Sequence, residues 1–250
     1  MTKNLENLAK PLVIGLPGLL DKNDKGGRIT QILSAVAQQG FNTLEIFYPN
    51  ITLSQDGKFL KCEFDVEETT RAVREQLGNY KAENHAIDED NISFVTSSMG
   101  AAYFTRFLAA DETGLKPKTL VQISPFIKLH PETEKIVRMI YGKKGDLPFT
   151  SEQDGEKGFS RIIPNAFIPA VLELNALDDL LKIKRESYPI NCLTLYGKKD
   201  NRADPAMTIA YHQQIGGKEE DLMAFETYHS VPEYTNELAI NFLQTTLKSN

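Results

Sequence analysis

Apolar residues along the chain switch repeatedly between two periods. Leu12 to Gly15 is a short apolar run closing at Pro17 and Gly18, which reads as a buried strand entering a turn. Ile29, Ile32, Leu33, Val36 and Ala37 then recur at helical spacing before Gly40, a residue type favoured just past a helix C-terminus. Leu44 to Tyr48 is again strand-like and is closed by Pro49. The Asp56, Gly57 pair, with Leu60, Cys62 and Phe64 alternating after it, suggests a surface hairpin or extended loop. Asp65 and Glu68 mark a helix start, Val66, Val73 and Leu77 give its stripe, and Gly78 is read as its stop, with 79 to 90 as polar connection. Ile92, Phe94 and Val95 lead into Thr96, Ser97, Ser98, Met99, Gly100, after which Ala101, Ala102, Phe104, Phe107 and Leu108 fall on a helical period.

Leu120, Val121 and Ile123 form the next buried strand, ending at Ser124 and Pro125. Strands alternating with helices in this way imply an α/β protein. Its sheet is expected to be mostly parallel, of about six strands in the order 2-1-3-4-5-6, with helices on both faces. Residues 126 to 189 break the rhythm. Pro131 to Tyr141 reads as a short helix, 142 to 160 is rich in glycine and charge, and an apolar stripe runs through Phe167, Val171, Leu174, Leu177 and Leu181. With no evident strand, this stretch is expected to be a mainly helical cap inserted into a core of residues 1–125 and 190–250. The sheet resumes at Ile190, Cys192, Leu193, Leu195 and Tyr196, followed by the Gly197, Lys198, Lys199, Asp200 turn. A helix over Pro205 to Ile215, a strand from Leu222 to Thr227 and a closing helix through Leu238, Phe242 and Leu247 complete the chain.

Composition narrows the function classes. The 250 residues are 41% hydrophobic and 25% charged, as in an ordinary folded domain, and the formal net charge of -6 without a long basic run argues against nucleic acid or an anionic membrane surface as the main partner. The first ten residues carry no apolar signal core and no stretch has membrane-span length, so a cytosolic protein without stable membrane insertion is expected. Cys62 and Cys192 lack metal-ligand spacing, and Cys192 fits a small apolar strand residue.

The chemistry converges on strand ends. Ser98 occupies a sharp strand-to-helix turn flanked by Thr96 and Gly100, a geometry that lifts the central hydroxyl clear of the sheet. A serine needs a base to take its proton, imidazole suits that task near neutral pH, and the imidazole needs an acceptor to fix its tautomer. Asp200 follows the fifth strand and His229 the sixth. In a parallel sheet the C-terminal ends of strands lie along one edge, where ligands bind. Ser97 is an alternative exposed hydroxyl if the strand ends a residue earlier. Asp204 competes with Asp200 and reads equally well as the N-cap of the helix at Pro205. His85 lies in a polar loop, His212 falls within a helix, and His130 stands at the cap's beginning.

The order Ser98, Asp200, His229, with a cap-sized gap and then one helix and one strand, resembles the α/β-hydrolase fold family from Leu12 onward, and within it the small cap-bearing carboxylesterases and monoacylglycerol lipases. Thr96 stands where the family usually has glycine, Pro17 where many members have histidine, and the family's two leading strands have no counterpart before Leu12. The resemblance implies a serine esterase working through an acyl-enzyme, with Ser98 as nucleophile, His229 as general base and acid, and Asp200 as orienting acid. It also implies an oxyanion hole from the Leu19 and Met99 amides and no metal or organic cofactor. The apolar cap positions Phe167, Ile168, Val171 and Leu174 point to a small-molecule ester with an apolar acyl group. A thioesterase or acyltransferase would use the same triad, and a binding protein could keep the fold without catalysis.

Overall fold

The computed structural model describes residues 9–18, 27–48, 51–53, 60–62, 66–83, 87–110, 115–141, 147–150, 160–163, 168–183 and 190–248. Its centre is a six-stranded sheet built from β1 (Lys10–Leu16), β2 (Asn42–Glu45), β5 (Ile87–Ser97), β6 (Pro117–Ile123), β9 (Asn191–Gly197) and β10 (Leu222–Phe225). The spatial order is β10-β9-β6-β5-β1-β2 and every pairing is parallel, so numbering these strands one to six gives 2-1-3-4-5-6. Two antiparallel ribbons lie outside it, β3 (Ile51–Leu53) with β4 (Leu60–Cys62) and β7 (Leu147–Thr150) with β8 (Ser160–Ile163).

Alternation along the strands sorts the core into two layers, because successive side chains leave a strand on opposite faces. Leu12, Ile14, Leu16, Phe94, Leu120 and Cys192 face one side. They pack against α2 (Val66–Glu83), α3 (Gly100–Ala109) and α7 (Pro205–Ile215) through residues such as Val73, Leu77, Phe104, Phe107 and Tyr211. Val13, Val95, Val121, Leu193 and Leu195 face the other, against α1 (Arg28–Ala37) and α8 (Thr235–Lys248) through Ile29, Ile32, Val36, Leu243 and Leu247. Both sides of the sheet are therefore dry, as a parallel sheet requires. Each fully buried Phe or Leu in these layers contributes about 1.5–3 kcal/mol.

The stretch between β6 and β9 contains a ribbon where the sequence shows no evident strand. Besides α4 (Pro131–Tyr141), α5 (Ile168–Glu173) and α6 (Ala176–Leu180), it contains the β7–β8 ribbon, so it is not purely helical. Four-residue strands among glycine and charge leave too little alternation to be seen in the sequence. The apolar stripe after Phe167 forms two short helices. They are broken where Asn175 bridges to Lys128 and Ala176 N–H donates to the Ile127 carbonyl (2.8 Å).

A second correction concerns Gly78. The helix does not stop there but continues to Glu83, and β5 begins at Ile87 rather than Ile92. Gly78 lies on the solvent face with open space around it, so the missing side chain costs only helix propensity, about 1 kcal/mol. Tyr80, one turn beyond Val73 and Leu77, adds to the packed face. The polar start of β5 pairs with Lys10 and Pro11, and a register shift then absorbs Glu89, Asp90 and Asn91. Gly40 and Gly216, by contrast, do stand at helix ends with φ of 90° and 93°.

Candidate active site

The C-terminal end of β5 carries the turn singled out above. Ser98 has φ of 47°, in the left-handed region that L residues enter only under constraint. Three main-chain bonds hold it there. Its N–H donates to the Ile123 carbonyl (3.0 Å), and its carbonyl accepts from Phe126 N–H (2.8 Å) and Ala101 N–H (3.1 Å). Gly100 is required by close approach, since a Cβ at that position would stand 2.1 Å from the Leu16 carbonyl oxygen of β1. Thr96 needs no such allowance. It is fully buried, and its hydroxyl donates to the Val121 carbonyl (3.4 Å), so the branched side chain is accommodated and the unusual backbone falls on Ser98 alone.

The loop after β9 supplies the acid and the turn after β10 the imidazole. Ser98 Oγ lies 2.8 Å from His229 Nε2, and His229 Nδ1 lies 2.7 Å from Asp200 Oδ2. With Nδ1–H donating to the carboxylate, Nε2 is left as the acceptor for the serine proton. The other carboxylate oxygen, Oδ1, accepts from the N–H groups of Arg202 (2.8 Å) and Ala203 (3.0 Å). Burial alone would push the Asp200 carboxyl upward. The His229 charge and hydrogen bond, with the two amides, outweigh that and hold it below the ordinary carboxylate value. Asp200 and His229 are buried, whereas Ser98 keeps partial exposure, so of the three it is the serine that remains accessible.

Two glycines set this geometry at a distance. Gly100 brings β1 against the Ser98 turn, and Gly197 brings the end of β9 against the histidine turn. A Cβ on Gly197 would lie 1.8 Å from the Tyr228 carbonyl oxygen, one residue before His229. Gly197 was legible in sequence only as part of a turn, because the contact spans about thirty residues of chain.

Ser97 is buried at the strand end and Ser98 alone reaches His229. Asp204 serves α7 instead: its carboxylate accepts from Ala206 N–H (2.9 Å) as an N-cap, with Pro205 at the first helical position. Met99 directly follows the serine and is buried, and its N–H has no hydrogen-bond partner among the described residues. Ile168 and Leu174 are buried in the core layer that also contains Met99 and Phe126, with Val171 partly exposed at its margin. Leu19 and Phe167 lie outside the described residues.

The remaining groups are structural. His212 is buried between Thr194 Oγ1 (2.9 Å) and the Lys218 carbonyl (2.8 Å), while His130 N–H donates to the Arg202 carbonyl and its ring Nδ1 accepts from Glu132 N–H. Lys198 and Lys199 both face Glu226 on the surface. Burial pushes the Cys192 thiol up to about 12, which makes it inert as a nucleophile.

Neither a family model nor a curated protein sequence matches the chain. Its likeness is to solved structures. An α/β hydrolase from Penicillium superposes with a TM-score of 0.65 at 14% identity, covering 96% of this chain and 91% of that one. The chain has the α/β-hydrolase fold. Within that fold it is also similar to a monoacylglycerol lipase of Paleococcus ferrophilus (TM-score 0.65, 14% identity, 97% of each chain) and to a monoglyceride lipase of Saccharomyces cerevisiae (TM-score 0.67, 12% identity, 96% of this chain and 87% of that one). Among the described residues no helix is long and apolar enough to cross a membrane.

Proposed function

We propose that this α/β-hydrolase-fold protein is a serine hydrolase that cleaves carboxylic esters through an acyl-enzyme. The observation that carries the reading is the continuous Ser98–His229–Asp200 relay, with links of 2.8 and 2.7 Å, at the C-terminal edge of a parallel sheet. The lipases and esterases among its structural relatives support the same reading.

In this mechanism His229 Nε2 takes the Ser98 proton as Oγ bonds to the ester carbonyl carbon. The tetrahedral oxyanion is held by the Met99 and Leu19 N–H groups. As the intermediate collapses, the carbon–oxygen bond to the alcohol breaks and His229 returns the proton to the departing oxygen. A water then repeats the sequence on the acyl-enzyme, losing its proton to His229 and releasing the acid and free Ser98. Asp200 keeps the imidazole oriented and stabilises its charged form.

The insertion between β6 and β9 would then serve as a cap, and its apolar sequence positions Phe167, Ile168, Val171 and Leu174 suit a small ester with an apolar acyl chain. Val171, the least buried of the three described positions, has the most surface left to offer a ligand.

The test is labelling by a fluorophosphonate together with hydrolysis of p-nitrophenyl esters of increasing chain length. Wild type should label, while Ser98→Ala and His229→Ala should lose labelling and about 10⁶-fold in kcat. A folded wild type that stays unlabelled would defeat the proposal, and indifference to chain length would remove the apolar acyl pocket.

A further inference from the structure

Ser124 is the other non-glycine residue with positive φ among the described residues, at 48°, almost the value at Ser98. It stands at the end of β6, the strand beside β5, and is buried. A second left-handed residue at the adjacent strand end is a cost that the surroundings must hold in place. The contacts around it tie the two halves of the relay together.

On one side, the turn beginning at Ile123 grips the nucleophile's backbone. The Ile123 carbonyl accepts from Ser98 N–H (3.0 Å), and Phe126 N–H donates to the Ser98 carbonyl (2.8 Å). Ser124 N–H meanwhile donates to the Leu195 carbonyl (2.7 Å), which anchors the turn to β9. On the other side, Ser124 Oγ accepts from the N–H of Val231, two residues after His229 (3.4 Å). The Val231 carbonyl is held in turn by Arg28 Nη2 (2.8 Å), so both main-chain groups of that residue are engaged.

We infer that Ser124 is a positioning residue: its hydroxyl fixes the histidine turn against the same short segment that holds Ser98, and so sets the Ser98–His229 separation. The main-chain clamp acts on the nucleophile and the hydroxyl on the base. A shift of about 1 Å in such a pair is enough to slow proton transfer markedly. The inference rests on the serine hydrolase reading above.

Ser124→Gly separates this role from a merely structural one. Glycine removes the hydroxyl but favours positive φ, so the fold should be as stable as wild type or more so. The expected result is an unchanged or higher Tm with about a ten-fold loss in kcat on p-nitrophenyl butyrate, KM within about two-fold, and a matching loss in fluorophosphonate labelling rate. Ser124→Ala, which lacks the hydroxyl without relieving the backbone, should lose kcat to the same extent and provides a second measurement where the glycine variant folds poorly. Wild-type kcat and labelling in Ser124→Gly would overturn the inference while leaving the hydrolase reading intact. So would a loss confined to KM, or a kcat loss in the alanine variant alone. A wild type that does not label overturns both.

Discussion

Asp200 is the residue on which electrostatics and stability meet. Its carboxyl is buried, yet it is held below the ordinary value by His229 and the Arg202 and Ala203 amides. A depressed carboxyl stabilises the fold above its unfolded pKa of about 3.9, and that contribution is lost as pH falls through the lower folded value. Asp200→Asn should therefore be less stable than wild type near neutral pH, with the Tm gap closing below about pH 4. The same variant should lose about 10⁴-fold in kcat, the effect of failing to hold the imidazole tautomer. Thermal unfolding from about pH 8 to about pH 3, alongside ester hydrolysis, checks both. A gap that widens in acid would mean that the carboxyl is not ionised in the folded protein.

At the scale of elements, the loop after β9 does two separate jobs within five residues. Asp200 turns towards His229, while Asp204 caps α7 through Ala206 N–H. The cap should be worth about 1 kcal/mol, so Asp204→Ala is expected to lower Tm by about 2–4 °C and to leave ester hydrolysis unchanged. An unaltered Tm with lost hydrolysis would move the acid role to Asp204. The loop is also tied to the start of the inserted stretch. His130 N–H donates to the Arg202 carbonyl (2.8 Å), Asp204 N–H to the Lys128 carbonyl (3.0 Å), and the Thr133 hydroxyl to the Asn201 carbonyl. The acid loop and the root of the inserted stretch are thus one hydrogen-bonded unit.

Across the whole molecule, the inserted stretch is anchored to α3, the helix after Ser98, by an ion pair. Arg106 on α3 meets Asp179 on α6 at 2.6 Å, with Lys182 on the second oxygen at 2.7 Å. Asp179 is only 2% exposed, whereas Arg106 and Lys182 reach solvent at 34% and 63%. Removing Arg106 leaves a buried carboxylate with a single partner at its rim. Arg106→Met should cost about 3 kcal/mol, and the double variant Arg106→Met/Asp179→Leu should recover most of it, because the buried charge is then gone as well. Urea midpoints for the four proteins of this cycle measure the coupling. A single variant as stable as wild type would show that Lys182 alone satisfies Asp179.

The alternation of strand and helix periods, the sheet order and the positions of Ser98, Asp200 and His229 after strand ends could be read from the chain, because each depends on local pattern and on the rule that parallel strand ends share an edge. The Gly78 helix and the β7–β8 ribbon could not. The first depends on which face of a helix meets solvent, and the second on strands too short to show a period. Tertiary structure alone decided between Asp200 and Asp204, placed the unusual backbone on Ser98 rather than Thr96, and set Ser124 and Gly197 against the histidine turn. These are contacts between segments far apart in sequence. Local propensity carries no record of them until the sheet has brought the segments together.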